Sequence, residues 1–249
     1  MKIHEIFVPS KCLERDVPVN IFVPDAPSGK WLLLLHGYGG DENEWIKKTN
    51  IIDLAQKFGV VLCAPSCGNN YYYLDVQESM GCFLGEELPA FMYANFPVSS
   101  NQKDASIAGS SMGGFGAVLL GSRYSNIYGK IASFGGAFII HDIAIGNPAI
   151  VRGADINYFR RVFGDFSTLE GSERDPLSHI QKAVSENRMS SIWLLCGVED
   201  VLYRSNEKMY EEISRLGVPI KLIGVSGGHN WPTWTPYMDE MMEWLTNLS

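Results

Sequence analysis

The pentapeptide around Ser111 has the form Gly-x-Ser-x-Gly, which is typical of a serine that attacks carbonyl groups. It reads Gly-Ser-Ser-Met-Gly over residues 109–113. A strand-like segment precedes it, and a run of small residues able to begin a helix follows it, as the sharp turn of a nucleophile requires. The same pattern recurs around Ser226, but no helix-like run follows there and no acid lies between Ser226 and the only histidine after it. We predict Ser111 as the nucleophile, and a structural turn serine is the alternative.

A serine hydroxyl is a weak nucleophile and needs a base that accepts its proton. In hydrolases with this turn, the partners follow in the order serine, acid, histidine. Three histidines follow Ser111 in the chain, namely His141, His179 and His229. The first two lie in an irregular segment, where a surface or capping role is expected, whereas His229 lies just beyond a predicted strand. We predict His229 as the base, and a packed loop histidine is the alternative.

The acid has to hold one imidazole nitrogen so that the other can accept the serine proton. Asp200 follows the apolar segment that ends at Cys196, and it lies between Ser111 and His229 in the chain. Its neighbour Glu199 is the immediate rival. Either carboxylate could instead cap the helix predicted near residue 205. We favour Asp200 as the acid.

Two backbone N–H groups are needed to stabilise the oxyanion that forms on the substrate. The N–H of Met112, directly after the nucleophile, is one candidate. The other is expected in the loop His-Gly-Tyr-Gly-Gly that begins at His36, where glycines let the backbone approach the substrate. We choose Tyr38, with Gly37 and Gly39 as alternatives, and interpret His36 as a structural residue that hydrogen-bonds within the loop.

Aromatic residues near these positions could form the wall of a substrate pocket. We assign substrate binding to Gly37, Tyr71, Trp231 and Trp234, although such aromatic clusters are equally typical of a core or a subunit interface. The chemistry requires no metal and no organic cofactor. Cys63 and the nearby Cys67 lack the further ligands that a zinc site needs.

The elements that must position these residues alternate between short apolar runs and longer amphipathic ones. This pattern predicts an α/β fold, with a mostly parallel central sheet and helices on both faces. We expect one domain over residues 1–249, with an insertion at about 138–189 that covers the site as a cap. The predicted strands are Ile3–Val8, Val17–Val23, Trp31–His36, Val60–Ala64, Ala105–Gly109, Lys130–Phe134, Ser191–Cys196 and Ile220–Val225. The predicted helices are Glu44–Phe58, Gly85–Asn95, Met112–Tyr124, Ser205–Leu216 and Pro236–Leu248, with a short one at Ile156–Phe163 in the insertion.

Composition narrows the range of partners and locations. The 249 residues carry a net charge of −8 without basic runs, so we expect no nucleic-acid partner. The apolar runs are too short to cross a membrane, and the first ten residues do not resemble a signal peptide. The five cysteines are scattered, and we interpret all of them as free thiols of a cytoplasmic protein.

The motifs together resemble the esterase D family of α/β-hydrolases, which includes the S-formylglutathione hydrolases, and within it they are most similar to bacterial tributyrin esterases. The resemblance implies the triad Ser111, Asp200 and His229, with oxyanion donors at Tyr38 and Met112. The loop at 36–40 departs from the Gly-Leu-Thr-Cys type of loop that is typical of formylglutathione hydrolases. The matching segments are the loop at 36–40, Glu86-Glu87-Leu88-Pro89, the stretch 109–114, Phe163-Gly164-Asp165, Asp175-Pro176, the stretch 196–203, and His229-Asn230-Trp231 with Trp234.

The resemblance implies a serine carboxylesterase that hydrolyses short-chain acyl esters through a covalent acyl-enzyme. Four alternatives stay open at this point: a feruloyl or acetyl-xylan type carbohydrate esterase, an S-formylglutathione hydrolase, an acyltransferase like the related mycolyltransferases, and a non-catalytic binding protein. The expected partner is a small-molecule ester, and the question of a homo-oligomer is left open.

Overall fold

An eight-stranded sheet forms the centre of the molecule. The computed structural model describes residues 1–73, 79–144 and 155–247. The strands follow one another across the sheet in the order β1-β2-β4-β3-β5-β6-β7-β8. β2 is antiparallel to both of its neighbours, and all pairs from β4 to β8 are parallel. The strands are β1 Lys2–Ser10, β2 Arg15–Val23, β3 Trp31–Leu35, β4 Val61–Pro65, β5 Ala105–Ser110, β6 Lys130–Phe134, β7 Ser191–Gly197 and β8 Ile220–Val225.

The central strands are continuous apolar runs because helices cover both faces of the sheet. Every residue of β3, β4, β5 and β6 is buried. In the edge strand β1, exposed and more buried side chains largely alternate, as expected of a strand with one face toward solvent. Buried apolar residues form two core clusters; one contains Leu33 and Leu35 of β3, and the other Leu32 and Leu34. The mostly parallel sheet that the sequence predicts is confirmed.

The helices that the sequence predicts lie close to their predicted positions, with two differences. The predicted helix Glu44–Phe58 is interrupted at Thr49 and Asn50, and the helix predicted to begin at Gly85 begins earlier and passes through a π-helical segment, Phe83–Glu87. The α-helices of the described residues are α1 Glu44–Lys48, α2 Ile51–Phe58, α3 Met80–Cys82, α4 Leu88–Asn95, α5 Met112–Arg123, α6 Ile140–Ala144, α7 Ile156–Phe163, α8 Pro176–Ser185, α9 Tyr203–Arg215, α10 Trp231–Trp234 and α11 Met238–Thr246. In the described part of the chain, none of the helices is both long and apolar enough to cross a membrane.

Helix α8 is not among the predicted helices, although its first residues carry a recognisable signal. Asp175 is its N-cap, and its carboxylate accepts a hydrogen bond from the Leu177 N–H at 3.0 Å. Pro176 occupies the first helical position, where its missing N–H costs nothing. The Asp175-Pro176 pair is therefore a local signal of a helix start, in a segment for which the hydrophobic pattern predicts no regular structure.

The described part of the insertion packs onto the core through an aromatic cluster. Tyr158, Phe159 and Phe163 of α7 are buried, and they contact the rings of Tyr71 and Phe115. Residues 145–154 of the predicted insertion and the last predicted helical residue, Leu248, lie outside the described residues.

A disulfide joins Cys12 to Cys82, so the prediction of five free thiols is wrong for these two residues. Cys12 lies in the turn between β1 and β2, and Cys82 ends α3, 70 positions further along the chain. The Glu87 carboxylate secures the same turn by accepting hydrogen bonds from the Cys12 N–H at 3.1 Å and the Ser10 hydroxyl at 2.5 Å. Folding brings the two cysteines together, and their spacing in the sequence contains no sign of it. The other three cysteines are free and buried.

Candidate active site

The predicted catalytic residues follow four strands at the point where each strand ends. The loop at 36–40 follows β3, Ser111 follows β5, Asp200 follows β7 and His229 follows β8. Because these strands are parallel, their carboxyl ends lie along one edge of the sheet, where open α/β sheets bind their ligands.

Ser111 forms a sharp turn between β5 and α5. Its backbone has φ 54°, a left-handed conformation that is strained for a serine. The turn needs glycine on both sides, because a Cβ on Gly109 would lie 1.9 Å from the Gly113 carbonyl oxygen, and one on Gly113 would lie 2.3 Å from that of Leu35. Glycines thus let α5 pack closely against β3 and β5, and the turn presents the Ser111 side chain at the edge of the sheet.

Hydrogen bonds connect Ser111, His229 and Asp200 in one line. The Ser111 Oγ lies 2.8 Å from Nε2 of His229, and Nδ1 of the same ring lies 2.6 Å from Oδ2 of Asp200. The His229 side chain is 32% exposed, whereas that of Asp200 is completely buried. The structure therefore brings together the three residues that the sequence singles out.

Glu199 and Ser226, the alternative acid and the alternative nucleophile, contact each other and do not contact the three predicted catalytic residues. Glu199 is exposed, and its carboxylate lies 3.5 Å from the Ser226 hydroxyl. Asp200 does not cap α9, whose N-cap is Leu202, but its second oxygen accepts a hydrogen bond from the Leu202 N–H at 2.9 Å in the turn just before that helix. One oxygen thus faces the histidine while the other fixes the carboxylate to the backbone.

Cys196 is a neighbour of the acid that sequence reasoning missed. Its Sγ lies 3.6 Å from Oδ2 of Asp200, within reach of a weak S–H···O hydrogen bond. Burial raises the pKa of the Cys196 thiol, so the sulfur keeps the proton that it donates. The ring of Trp234 packs edge-on against that of His229, with the centroids 5.0 Å apart, and limits how the imidazole can tilt.

The loop after β3 is fixed from inside by His36. Its Nε2 accepts a hydrogen bond from the Cys67 N–H at 3.0 Å, so Nδ1 carries the proton and donates to the Gly37 carbonyl at 2.8 Å. Burial lowers the pKa of His36, which keeps the ring neutral and preserves this arrangement. The Tyr38 N–H has no acceptor among the residues that the structure describes. Met112 is the first residue of α5, where a helix leaves its N–H groups unpaired.

A cavity of about 360 Å³ lies beside Ser111 and His229. Of the four predicted substrate-binding residues, Gly37, Trp231 and Trp234 line it, but Tyr71 does not. Tyr71 is fully buried among the rings of the aromatic cluster instead, and its hydroxyl has no hydrogen-bond partner in the described structure. The lining residues are Gly37, Tyr38, Glu44, Ser110, Ser111, Val201, Leu202, His229, Asn230, Trp231 and Trp234.

The cap predicted over the serine stays a prediction. No residue lining the cavity belongs to the described part of the insertion, and Tyr158 contacts the oxyanion loop through the ring of Tyr38. Across residues 1–73, 79–144 and 155–247, no group of three or more His, Cys, Asp or Glu side chains is arranged to hold a metal ion.

Comparison with known proteins identifies the family of this chain. The model of the putative esterase family matches residues 10–245, nearly the whole chain. The chain belongs to this esterase family. An acetyl esterase of Caldicellulosiruptor saccharolyticus is 34% identical to it over 247 residues, which cover 97% of this chain and 90% of the relative. An S-formylglutathione hydrolase of Mus musculus is 30% identical over 137 residues, which cover 45% of this chain and 48% of the relative.

A solved structure shows the same fold over the whole length of this esterase. FphF, a fluorophosphonate-binding serine hydrolase of Staphylococcus aureus, superposes with a TM-score of 0.88 over 99% of both chains, at 22% sequence identity. The predicted α/β-hydrolase fold is confirmed, and the protein is an enzyme, an esterase. The narrower resemblance to tributyrin esterases stays a prediction.

Proposed function

We propose that this esterase hydrolyses short-chain acyl esters, acetyl esters foremost, through a covalent intermediate on Ser111. The observation that carries the proposal is the unbroken line of hydrogen bonds from Ser111 through His229 to Asp200, with distances of 2.8 and 2.6 Å. A serine whose proton can pass directly to a neutral imidazole, itself held by a buried carboxylate, has what attack on an ester carbonyl requires.

In the first half of the reaction, the Ser111 oxygen attacks the ester carbonyl while Nε2 of His229 accepts the hydroxyl proton. Asp200 accepts the hydrogen bond from Nδ1 and stabilises the imidazolium that forms. The carbonyl oxygen becomes an oxyanion that accepts hydrogen bonds from the N–H groups of Tyr38 and Met112, and each donor lowers the barrier by about 3 kcal/mol. The tetrahedral intermediate then collapses, the bond to the alcohol oxygen breaks, and His229 protonates the departing alcohol.

In the second half, water takes the place of the alcohol. His229 removes a proton from the water molecule, whose oxygen attacks the acyl carbon. The acid product leaves when the bond to Ser111 breaks and the serine oxygen regains its proton from His229. His229 is partly exposed, which leaves its Nε2 side accessible to water from the cavity.

The size and walls of the cavity support a short acyl chain. Leu202, Trp231 and Trp234 give it an apolar side, while Glu44 and Asn230 make the rest polar. A buried methylene contributes about 0.8 kcal/mol, and this gain ends once the apolar part is full. The 34% identical relative named acetyl esterase supports the same substrate class. We expect kcat/KM to peak at acyl chains of about two to four carbons and to decline beyond about six.

The test is a series of p-nitrophenyl esters from acetate to decanoate, measured on the wild type, on Ser111→Ala and on the matched control Ser226→Ala. We expect Ser111→Ala to abolish hydrolysis with little loss of stability, and Ser226→Ala to keep substantial activity. Equal losses in both variants would contradict the assignment of Ser111. Activity that rises steadily through decanoate would contradict the short-chain preference.

The Cys12–Cys82 disulfide counts against the cytoplasmic location expected from the sequence. Reducing conditions keep cytosolic thiols free, whereas structural disulfides persist in oxidising compartments. Alkylation of free thiols before cell lysis, followed by mass spectrometry, measures which state these two residues have in the cell.

A further inference from the structure

Glu44, the first residue of α1, contacts both the loop after β3 and the end of β5. Its Oε2 accepts a hydrogen bond from the Gly37 N–H at 2.6 Å and lies 3.4 Å from the hydroxyl of Ser110. Gly37 directly precedes Tyr38, and Ser110 directly precedes the nucleophile. One carboxylate oxygen therefore connects the loop after β3 to the end of β5, the two segments that carry the proposed oxyanion donors.

The hydrogen bonds around Gly37 determine where the Tyr38 N–H points. The Gly37 carbonyl accepts hydrogen bonds from Nδ1 of His36 at 2.8 Å and from the Gly40 N–H at 3.0 Å. The carbonyl and the N–H of one planar peptide point in opposite directions, so fixing the Gly37 carbonyl also fixes the Tyr38 N–H. Glu44 holds the N–H on the other side of Gly37, and the residue is thereby fixed at both of its peptide groups.

The loop folds closely around the Glu44 carboxylate. A Cβ on Gly40 would lie 2.9 Å from Oε2 of Glu44, which is closer than such atoms approach in proteins. The position of the carboxylate is therefore determined by the loop, and the position of the loop by the carboxylate. Shortening this side chain to alanine would leave the Gly37 N–H without its partner and the loop without its support.

The charge of a carboxylate at this place acts against the reaction. Glu44 lines the cavity in which the oxyanion forms, and a negative charge there opposes the negative charge that develops on the substrate. If the charge dominated, removing the side chain would accelerate the enzyme. If positioning dominates, removal slows it, whereas an amide that keeps the hydrogen bond leaves it active.

We propose that Glu44 is a positioning residue that aligns the oxyanion donors of Tyr38 and Met112 by joining Gly37 to Ser110. The proposal rests on the proposed function insofar as these two N–H groups bind the oxyanion. It assigns to Glu44 no contact with the reacting atoms.

The experiment compares Glu44→Ala and Glu44→Gln with Glu42→Ala, a matched control just before α1 whose side chain does not line the cavity. For each variant, we would measure kcat and KM on p-nitrophenyl acetate, the inhibition constant of a trifluoromethyl ketone that forms a tetrahedral adduct, and the unfolding midpoint. The rate at which a fluorophosphonate labels Ser111 is measured in parallel, because labelling needs the oxyanion hole but no natural substrate.

We expect Glu44→Ala to lower kcat and the labelling rate by about 10- to 100-fold and to weaken the ketone by a similar factor, with KM changed less than about threefold. Glu44→Gln should keep at least about a third of the wild-type kcat, because its amide oxygen can take the place of Oε2 and accept from both the Gly37 N–H and the Ser110 hydroxyl. Glu42→Ala should match the wild type.

Three results would overturn the proposal: a Glu44→Ala variant as fast as the wild type or faster, a Glu44→Gln variant as slow as Glu44→Ala, or a loss confined to KM and unfolding with the ketone bound as tightly as before. Failure of the proposed function is a different result. In that case the wild type labels at Ser111 but hydrolyses none of the esters, and the labelling rates still decide the role of Glu44.

Discussion

Gly135, directly after β6, lies against the Asp200–His229 pair, and its replacement by alanine tests how closely that pair must be held. Its backbone has φ +53°, and a Cβ added there would lie 2.8 Å from a ring carbon of Trp234, 3.1 Å from Oδ2 of Asp200 and 3.2 Å from Nδ1 of His229. The new methyl group would thus enter the space beside the hydrogen bond between acid and base.

The size of the effect follows from these distances. Carbon atoms pack best at about 3.5–4.0 Å, so Trp234 would have to retreat by about 0.7 Å or more, and the imidazole that packs against it would move as well. A misplacement of about 1 Å costs on the order of 100-fold in rate, and a wrong partner for the histidine costs about 10⁴-fold. We expect kcat/KM of Gly135→Ala to be lower than that of the wild type by a factor between about 10² and 10⁴. We also expect the free energy of unfolding to decrease by about 1–2 kcal/mol, because alanine is strained in the left-handed backbone conformation.

The assay pairs p-nitrophenyl acetate hydrolysis with urea unfolding, and Gly217→Ala is the control. Gly217 has φ +76° and no atom within 4 Å of an added Cβ, so its replacement has the backbone cost without the steric conflict. Gly217→Ala should lose similar stability and keep its activity. A folded Gly135→Ala variant that stays within about threefold of the wild type would refute the reasoning, because the pair would then tolerate a methyl group in contact with it.

Three further predictions concern the acid, the disulfide and pH. Asp200→Asn should reduce kcat by about 10⁴-fold and Glu199→Gln by little, because only Asp200 reaches the imidazole; a larger loss in Glu199→Gln would reverse the assignment. Reduction of Cys12–Cys82, which encloses about 70 residues, should lower the free energy of unfolding by up to about 4 kcal/mol in urea titrations, and unchanged titrations would show that the bond contributes no stability. Burial lowers the pKa of His36, so the unfolded chain binds a proton more readily and stability should fall as pH decreases below about 6.5. His36→Asn should make that decline shallower by up to about 1.4 kcal/mol per pH unit, and an unchanged slope would contradict the assignment of the effect to His36.

The line of catalytic residues could be predicted because its signals are local to each strand end. Ser111 follows a buried strand and precedes a helix, and Asp200 and His229 each follow a buried or partly buried strand. Parallel strands then bring these ends to one edge without any long-range information. The choice between Asp200 and Glu199 was harder, because adjacent loop residues differ only in the direction of their side chains. The structure separates them by burial, with the Asp200 carboxylate enclosed and Glu199 exposed.

Long-range contacts could not be predicted in the same way. Tyr71 is one of the aromatic residues assigned to a pocket wall from the sequence, yet its positive φ of 54° and its packing against α7 turn the ring into the core. Cys12 and Cys82 meet only because the β1–β2 turn lies beside α3. In each case the partner comes from a distant segment, and neither spacing nor hydrophobic period encodes that proximity.

The residues that support the catalytic acid each supply one hydrogen-bond donor, and such a contribution cannot be recognised in the sequence. The Asp200 carboxylate is fully buried, and the His229 ring, the Leu202 N–H and the Cys196 thiol all contact its oxygens. In the sequence, a backbone N–H and a thiol within an apolar strand cannot be distinguished from other core groups. Their contribution is a donor in the correct position, and that position is determined only by the fold. Burial of an ionised group without such donors would cost several kcal/mol, so the donors are as necessary to the acid as its carboxylate. The type of reaction is therefore recognisable in the sequence from three side chains. The environment that stabilises the catalytic acid depends on neighbouring donors that only the folded structure shows.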